Sequence, residues 1–168
     1  MKYRYLPTAL ALMLISSTSL AETVKTSIDV EADVSTSVRV FVEGKDVTNS
    51  VITLKLEDKN GFMESATPAF QFVGNASSVS LSLREPAAGG IISEHNDIMK
   101  LNTAWIRVDG THVAANYPLN NQEVYKTLQD ISDPAKGVRV HFVSSSRTET
   151  YPLGTYRGTY EVIVTPSV

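Results

Sequence analysis

Six places in this chain carry residue types that could do chemistry. Glu94-His95-Asn96-Asp97 holds metal-ligand types in one short run. Adjacent residues on a loop rarely converge on one ion, so the run reads as a solvated loop rather than a metal site. Asp29, Glu31 and Asp33 recur at every second position and could suggest paired carboxylates. Alternate positions of a strand share one face, so these acids read as a charged face that discourages wrong pairing. His112 and His141 each fall in an expected strand, far apart in sequence and far from His95. Each reads as an ordinary sheet residue. Trp105 could stack on a sugar, but it sits beside Ile106 in a strand and reads as core. Asn75-Ala76-Ser77 matches a glycosylation acceptor, which has meaning only in a host that glycosylates. The chain contains no GxSxG elbow, HExxH pair, phosphate loop or dinucleotide fingerprint. The expectation is a protein that is not an enzyme, with no catalytic residue, metal or cofactor.

The first 21 residues look like a secretory signal. Lys2 and Arg4 supply its positive start, and Leu6 to Ile15 is apolar apart from Pro7 and Thr8. That run is too short for a stop-transfer helix. Ser19-Leu20-Ala21 is a small-x-small cleavage site, so the mature chain is expected to start at Glu22 and to be exported. About 147 residues then remain, enough for one domain with a sizeable core. The whole chain has 15 Lys and Arg against 18 Asp and Glu; without Lys2 and Arg4 the ratio is 13 to 18, a net charge of about −5. That balance argues against a nucleic-acid partner, which would want a basic face. There is no cysteine, so packing and hydrogen bonds alone must hold an exported domain.

The elements expected to position these residues are strands. Apolar alternation marks 37–42, 51–57, 69–73, 78–84, 104–108, 111–115, 138–143 and 155–165, with Asp109-Gly110 as a turn between two of them. Many short strands with turn signals between them suggest an all-β sandwich of immunoglobulin-like type. Asn120 to Ile131 is the exception. Val124, Leu128 and Ile131 have helical spacing, Asn120 or Asn121 can cap the start, and Pro134 follows. The pattern predicts a short crossover helix there. Ala87 to Gly90 and Ser144 to Ser146 read as loops.

The two ends carry the strongest patterns. From Glu22 to Val34, apolar and small residues at Val24, Thr26, Ile28, Val30, Ala32 and Val34 alternate without a break against Thr23, Lys25, Ser27, Asp29, Glu31 and Asp33. Such a strand can open its own sheet or add to a neighbour's. As a first strand it would have to run through Ser35-Thr36-Ser37 into the next run as one very long element. A break there is more natural, leaving an extension followed by the domain's first strand. The last expected strand, 155–165, would then border a groove open to a donor.

With these features the chain resembles chaperone–usher fimbrial subunits, most closely the CS1-type (class 5, alpha-fimbrial) major pilins. The resemblance rests on the signal peptide, the alternating extension, the absence of cysteine and the ending Gly154-Thr155-Tyr156-Arg157-Gly158-Thr159-Tyr160-Glu161-Val162-Ile163-Val164-Thr165. It implies an incomplete immunoglobulin-like β-sandwich, residues 35–168, completed by a donor strand from a neighbouring subunit. The extension at 22–34 would be that donor, inserting Val24, Thr26, Ile28, Val30 and Ala32. Tyr156, Gly158, Tyr160, Val162 and Val164 would border the acceptor groove, and the Val168 carboxylate would anchor a periplasmic chaperone. The implied partners are identical subunits in a head-to-tail polymer, the chaperone, an outer-membrane usher and a tip adhesin. The implied product is a cell-surface fimbrium that supports adhesion, reached by export through the periplasm. The alternative is a secreted, self-contained β-sandwich that binds a carbohydrate or protein ligand.

Overall fold

The computed structural model describes residues 27–32 and 34–168. The expected signal segment and the donor positions Val24 and Thr26, like Asp33, lie outside the described residues. The chain divides into two units, Met1–Asp33 and Val34–Val168. In the first, 27–32 has no regular secondary structure and every side chain in it is exposed.

The second unit is all-β with several sheets, consistent with a β-sandwich. β1 (Val38–Val42) and β2 (Lys45–Asp46) form a hairpin through Glu43-Gly44, and β3 (Glu57–Lys59) and β4 (Phe62–Ala66) form another through Asn60-Gly61. Both central residues of each turn have positive φ, the conformation that matches the twist of paired strands. β5 (Phe70–Gly74) and β6 (Ser78–Arg84) follow, then the short pair β7 (Ile91–Ile92) and β8 (Ile98–Met99). β9 (Leu101–Ile106) turns at Asp109-Gly110 into β10 (His112–Ala114). β11 (Leu119–Gln122), β12 (Val124–Tyr125), β13 (Arg139–Ser144) and β14 (Glu161–Ser167) complete the set.

The hydrogen-bonded orders are β12-β5-β1-β2, β10-β9-β13-β4-β3 and β11-β6-β14, with β7-β8 apart. The inward residues of these sheets meet in one core. Trp105, Val79, Leu81 and Val140 are fully buried, with Phe72, Val138, Phe142 and Met99 around them. The alternation read from the sequence reappears as burial. Val140, Phe142 and Ser144 of β13 face in, while Arg139, His141 and Val143 face out.

The structure corrects the expected helix at 120–131. Asn121 takes φ +56°, which no helix interior tolerates, and Val124 and Tyr125 pair in parallel with Phe72 and Val73 of β5. Only one 3-10 turn remains, Leu128–Asp130, closed by Asp130 accepting from the Thr127 amide at 2.8 Å. Three apolar residues at helical spacing could not outweigh a strand partner.

The expected strand 155–165 is also corrected. Its first half makes a single bridge, Arg157 with Ile92, and Gly158 lets the chain pass Ile91, where a Cβ would stand 2.8 Å from Ile91 Cγ2. The second half leaves β7 and pairs with β6 as β14, beginning only at Glu161. One alternating run thus serves two different partners.

Candidate functional site: two unpaired strand edges

Val51 to Leu56 has the burial pattern of a strand. Val51, Thr53 and Lys55 are exposed, while Ile52, Leu54 and Leu56 are half-buried and pack against the core. Yet among the described residues no backbone group from Val51 to Leu56 makes a hydrogen bond. Pairing starts one residue later, where Glu57 meets Glu64 of β4. Each of these six residues carries a backbone donor and an acceptor, and among the described residues none of these groups has a backbone partner. They form the ready template that unpaired edges present to another chain.

β14 is the second such edge. It pairs with β6 along its whole length, Glu161 with Arg84 through Ser167 with Ser78, and is the outermost strand of its sheet. Arg84 and Glu161 add an exposed ion pair at 2.8 Å. Pro166 lacks an N–H, which only an edge strand accommodates. On the inward side Val162 and Val164 sit opposite Leu83 and Leu81. Val79 and Leu81 of β6 are fully buried, while Leu83 of β6 and Val162 and Val164 of β14 are only half-buried, so the cover thins toward this edge.

Tyr160 connects this edge to the floor. Its ring meets the Phe142 ring edge-on with centroids 5.0 Å apart. Burial holds its phenol above the ordinary value, with a smaller push from the Glu85 charge. Phe142 lies opposite Ser65, and Val143 and Glu57 both lie opposite Glu64. Leu56 therefore stands one step from Glu57 on the Phe142 side. Ile52, Leu54 and Leu56 pack, like Tyr160, Val162 and Val164, against the same core cluster that contains Phe142.

The expected site residues sort as follows. Tyr160, Val162 and Val164 lie at the β14 edge, half-buried against the core. Tyr156 is half-buried beside Tyr151, with its hydroxyl donating to Pro152 O at 2.9 Å, and Gly158 is exposed next to Ile91. These two belong to the β7 crossing and precede β14. Val168 is fully exposed beyond Ser167, whose carbonyl accepts from the Ser77 amide at 3.0 Å. Among the described donor positions, Ile28 is 83% and Val30 88% exposed, and Ala32 is exposed too. Sequence reasoning read 51–57 as an ordinary strand and missed that 51–56 has no backbone partner among the described residues.

The other chemical candidates resolve structurally. Trp105 is fully buried and donates its indole N–H to Tyr117 O at 3.3 Å, so it is not a stacking platform. Ser93 Oγ accepts from the His95 and Asp97 amides, both at 3.1 Å, which explains the polar run at 94–97 as a side-chain-closed turn. Asn75 spends its amide on the backbone, accepting from Ser37 N at 2.7 Å and donating to Ser35 O at 3.1 Å. His112 and His141 do come together, ring centroids 5.5 Å apart, with His141 Nε2 3.0 Å from Glu64 Oε1. Among the described residues no group of three or more His, Asp or Glu is arranged to hold a metal ion.

No protein-family model, curated protein or solved structure matches this chain.

Proposed function

We propose that this chain is a structural subunit of a bacterial surface fimbria and polymerises by donor-strand exchange. The observation that carries the reading is the segment Val51 to Leu56, extended, facing the core and without a backbone partner among the described residues. In this reading it forms, with the outer edge of β14, the two walls of a gutter in an incomplete immunoglobulin-like sandwich. The missing strand belongs between them. The 22–34 extension of a neighbouring subunit has the right pattern, with Val24, Thr26, Ile28, Val30 and Ala32 on one face.

The physics of completion is strand addition. The donor backbone takes up the free N–H and C=O groups of both walls, each bond contributing about 0.5–1.5 kcal/mol net. Its apolar face covers Ile52, Leu54, Leu56, Val162 and Val164, and burying each Ile or Val of the donor contributes about 1.5–3 kcal/mol. Ordering the extension offsets part of that gain. Because donor and acceptor are different surfaces, the assembly is head to tail and grows as an open filament. In this reading a periplasmic chaperone fills the gutter before assembly, held at the Val168 carboxylate. An outer-membrane usher is where exchange occurs, and a tip adhesin would end the filament.

Size-exclusion chromatography of the exported chain with and without residues 22–34 tests this. The full chain gives a ladder of sizes. The shortened chain gives none, and binds an added 22–34 peptide one to one. A full chain that runs as a stable monomer and ignores the peptide overturns the reading.

A further inference from the structure

A pocket of about 230 Å³ lies at the far side of the β10-β9-β13-β4-β3 sheet from edge strand β3. The β9–β10 hairpin supplies Ile106, Arg107, Val108 and Gly110 to its lining, and the turn before β13 supplies Ala135, Lys136 and Gly137, with Arg139 at the strand's start. Three cations therefore surround one small concavity in a chain that is acidic overall.

The fold holds these cations in place. Ile106 and Arg139 are direct cross-strand partners, so the hairpin and the turn share one register. Arg139 Nη2 donates to Ala135 O at 3.0 Å, which fixes its guanidinium over the turn and leaves its other N–H groups available. None of Arg107, Lys136 and Arg139 has an ion-pair partner among the described residues. The nearby acids are held by their own turns, although the Arg107 charge, after the bonds from Thr111, also helps to keep the Asp109 carboxyl below its ordinary value. Asp109 accepts from the Thr111 amide and Asp133 from the Ala135 amide, both at 2.9 Å, and neither lines the pocket. Gly137 is required here, since a Cβ would collide with Phe70 O.

Charge and shape together narrow the ligand. Guanidinium groups match carboxylate and sulfate oxygens through paired N–H donors. Ile106, Val108 and Ala135 add an aliphatic surface on which the C–H face of a sugar ring can lie. The volume suits one such unit, and the net negative charge of the chain repels a long polyanion. We propose that this pocket binds an anionic saccharide, with Arg107, Lys136 and Arg139 as counter-ions to its acidic group. The assignment does not depend on the unpaired edges. If the chain polymerises, each subunit presents one copy and weak single sites add up.

The test is an NMR titration of the full chain with galactose, galactose 6-sulfate, galacturonic acid and inorganic sulfate. The tighter-binding acidic sugar is expected to bind about tenfold more tightly than galactose, and more tightly than inorganic sulfate. The shifting amides should centre on Arg107, Gly110 and Gly137. Arg107→Gln, which spares the bond from Arg139 to the turn, weakens that binding about tenfold, and raising the salt weakens it further. The assignment is overturned if neither acidic sugar binds better than galactose. It is equally overturned if inorganic sulfate binds as well as the acidic sugars, if the shifts lie elsewhere, or if Arg107→Gln and Lys136→Gln both bind like the parent.

Discussion

Strand β13 and the segment Val51 to Leu56 have the same alternation and opposite fates. β13 has β9 on one side and β4 on the other, and its inward Val140, Phe142 and Ser144 are buried. Val51 to Leu56 has no backbone partner among the described residues, and its inward Ile52, Leu54 and Leu56 stay half-buried. Period-two patterning states which face of a strand is apolar. It does not state whether a neighbour is present in the same chain. An apolar face combined with free edges is a template with which a strand of another chain can pair.

That contrast can be broken or sharpened by substitution, ranked by effect on the folding free energy of the free chain. Trp105→Ala on the closed side should cost about 3–5 kcal/mol in urea unfolding, because it empties the largest fully buried side chain. A cost under about 1 kcal/mol would mean the core is not set where the burial puts it. Leu54→Ser on the open side should cost only about 1–2 kcal/mol, since Leu54 is already half exposed, yet it should remove capture of the 22–34 peptide. Capture that survives would move the gutter elsewhere. Ile28→Asp should leave the stability within about 0.5 kcal/mol while the size ladder disappears. A ladder that persists would detach the extension from polymerisation.

The smallest effect is a pH effect at the closed β1–β2 hairpin. The Thr48 hydroxyl, then the Thr48 amide and the Arg39 charge, hold the Asp46 carboxyl below its ordinary value. The native state therefore binds this proton more weakly than the unfolded chain. The stabilisation is present above the ordinary carboxylate range and is lost as pH falls through the lowered native value. Asp46→Asn should flatten the acid limb of a stability–pH curve slightly. An unchanged acid limb would assign no role to these bonds.

Much of the fold was legible because local pattern and final environment agree. Strands at 38–42, 70–74, 78–84, 112–114 and 139–144 match their apolar alternation. The buried Trp105 follows from its strand neighbours. The Asn60-Gly61 turn was legible too, as an Asn-Gly hairpin signal, and with it β4 could have been found. The illegible parts depend on partners distant in sequence. Val124 and Tyr125 are strand only because β5 lies beside them. The run 155–165 changes partner in the middle, which alternation cannot encode. The unpaired state of Val51 to Leu56 is a property of the whole topology. The basic pocket likewise joins residues from two loops that only the β9–β13 register brings together.

Hydrogen–deuterium exchange of the backbone amides, in the chain lacking residues 22–34, tests donor-strand completion most directly. Without peptide, the amides from Val51 to Leu56 should exchange rapidly while those of β13 are protected. With the 22–34 peptide added, Val51 to Leu56 should gain protection, together with the outward amides of β14. Amides at 51–56 that are already protected in the free chain, or that stay unprotected with peptide bound, would contradict it.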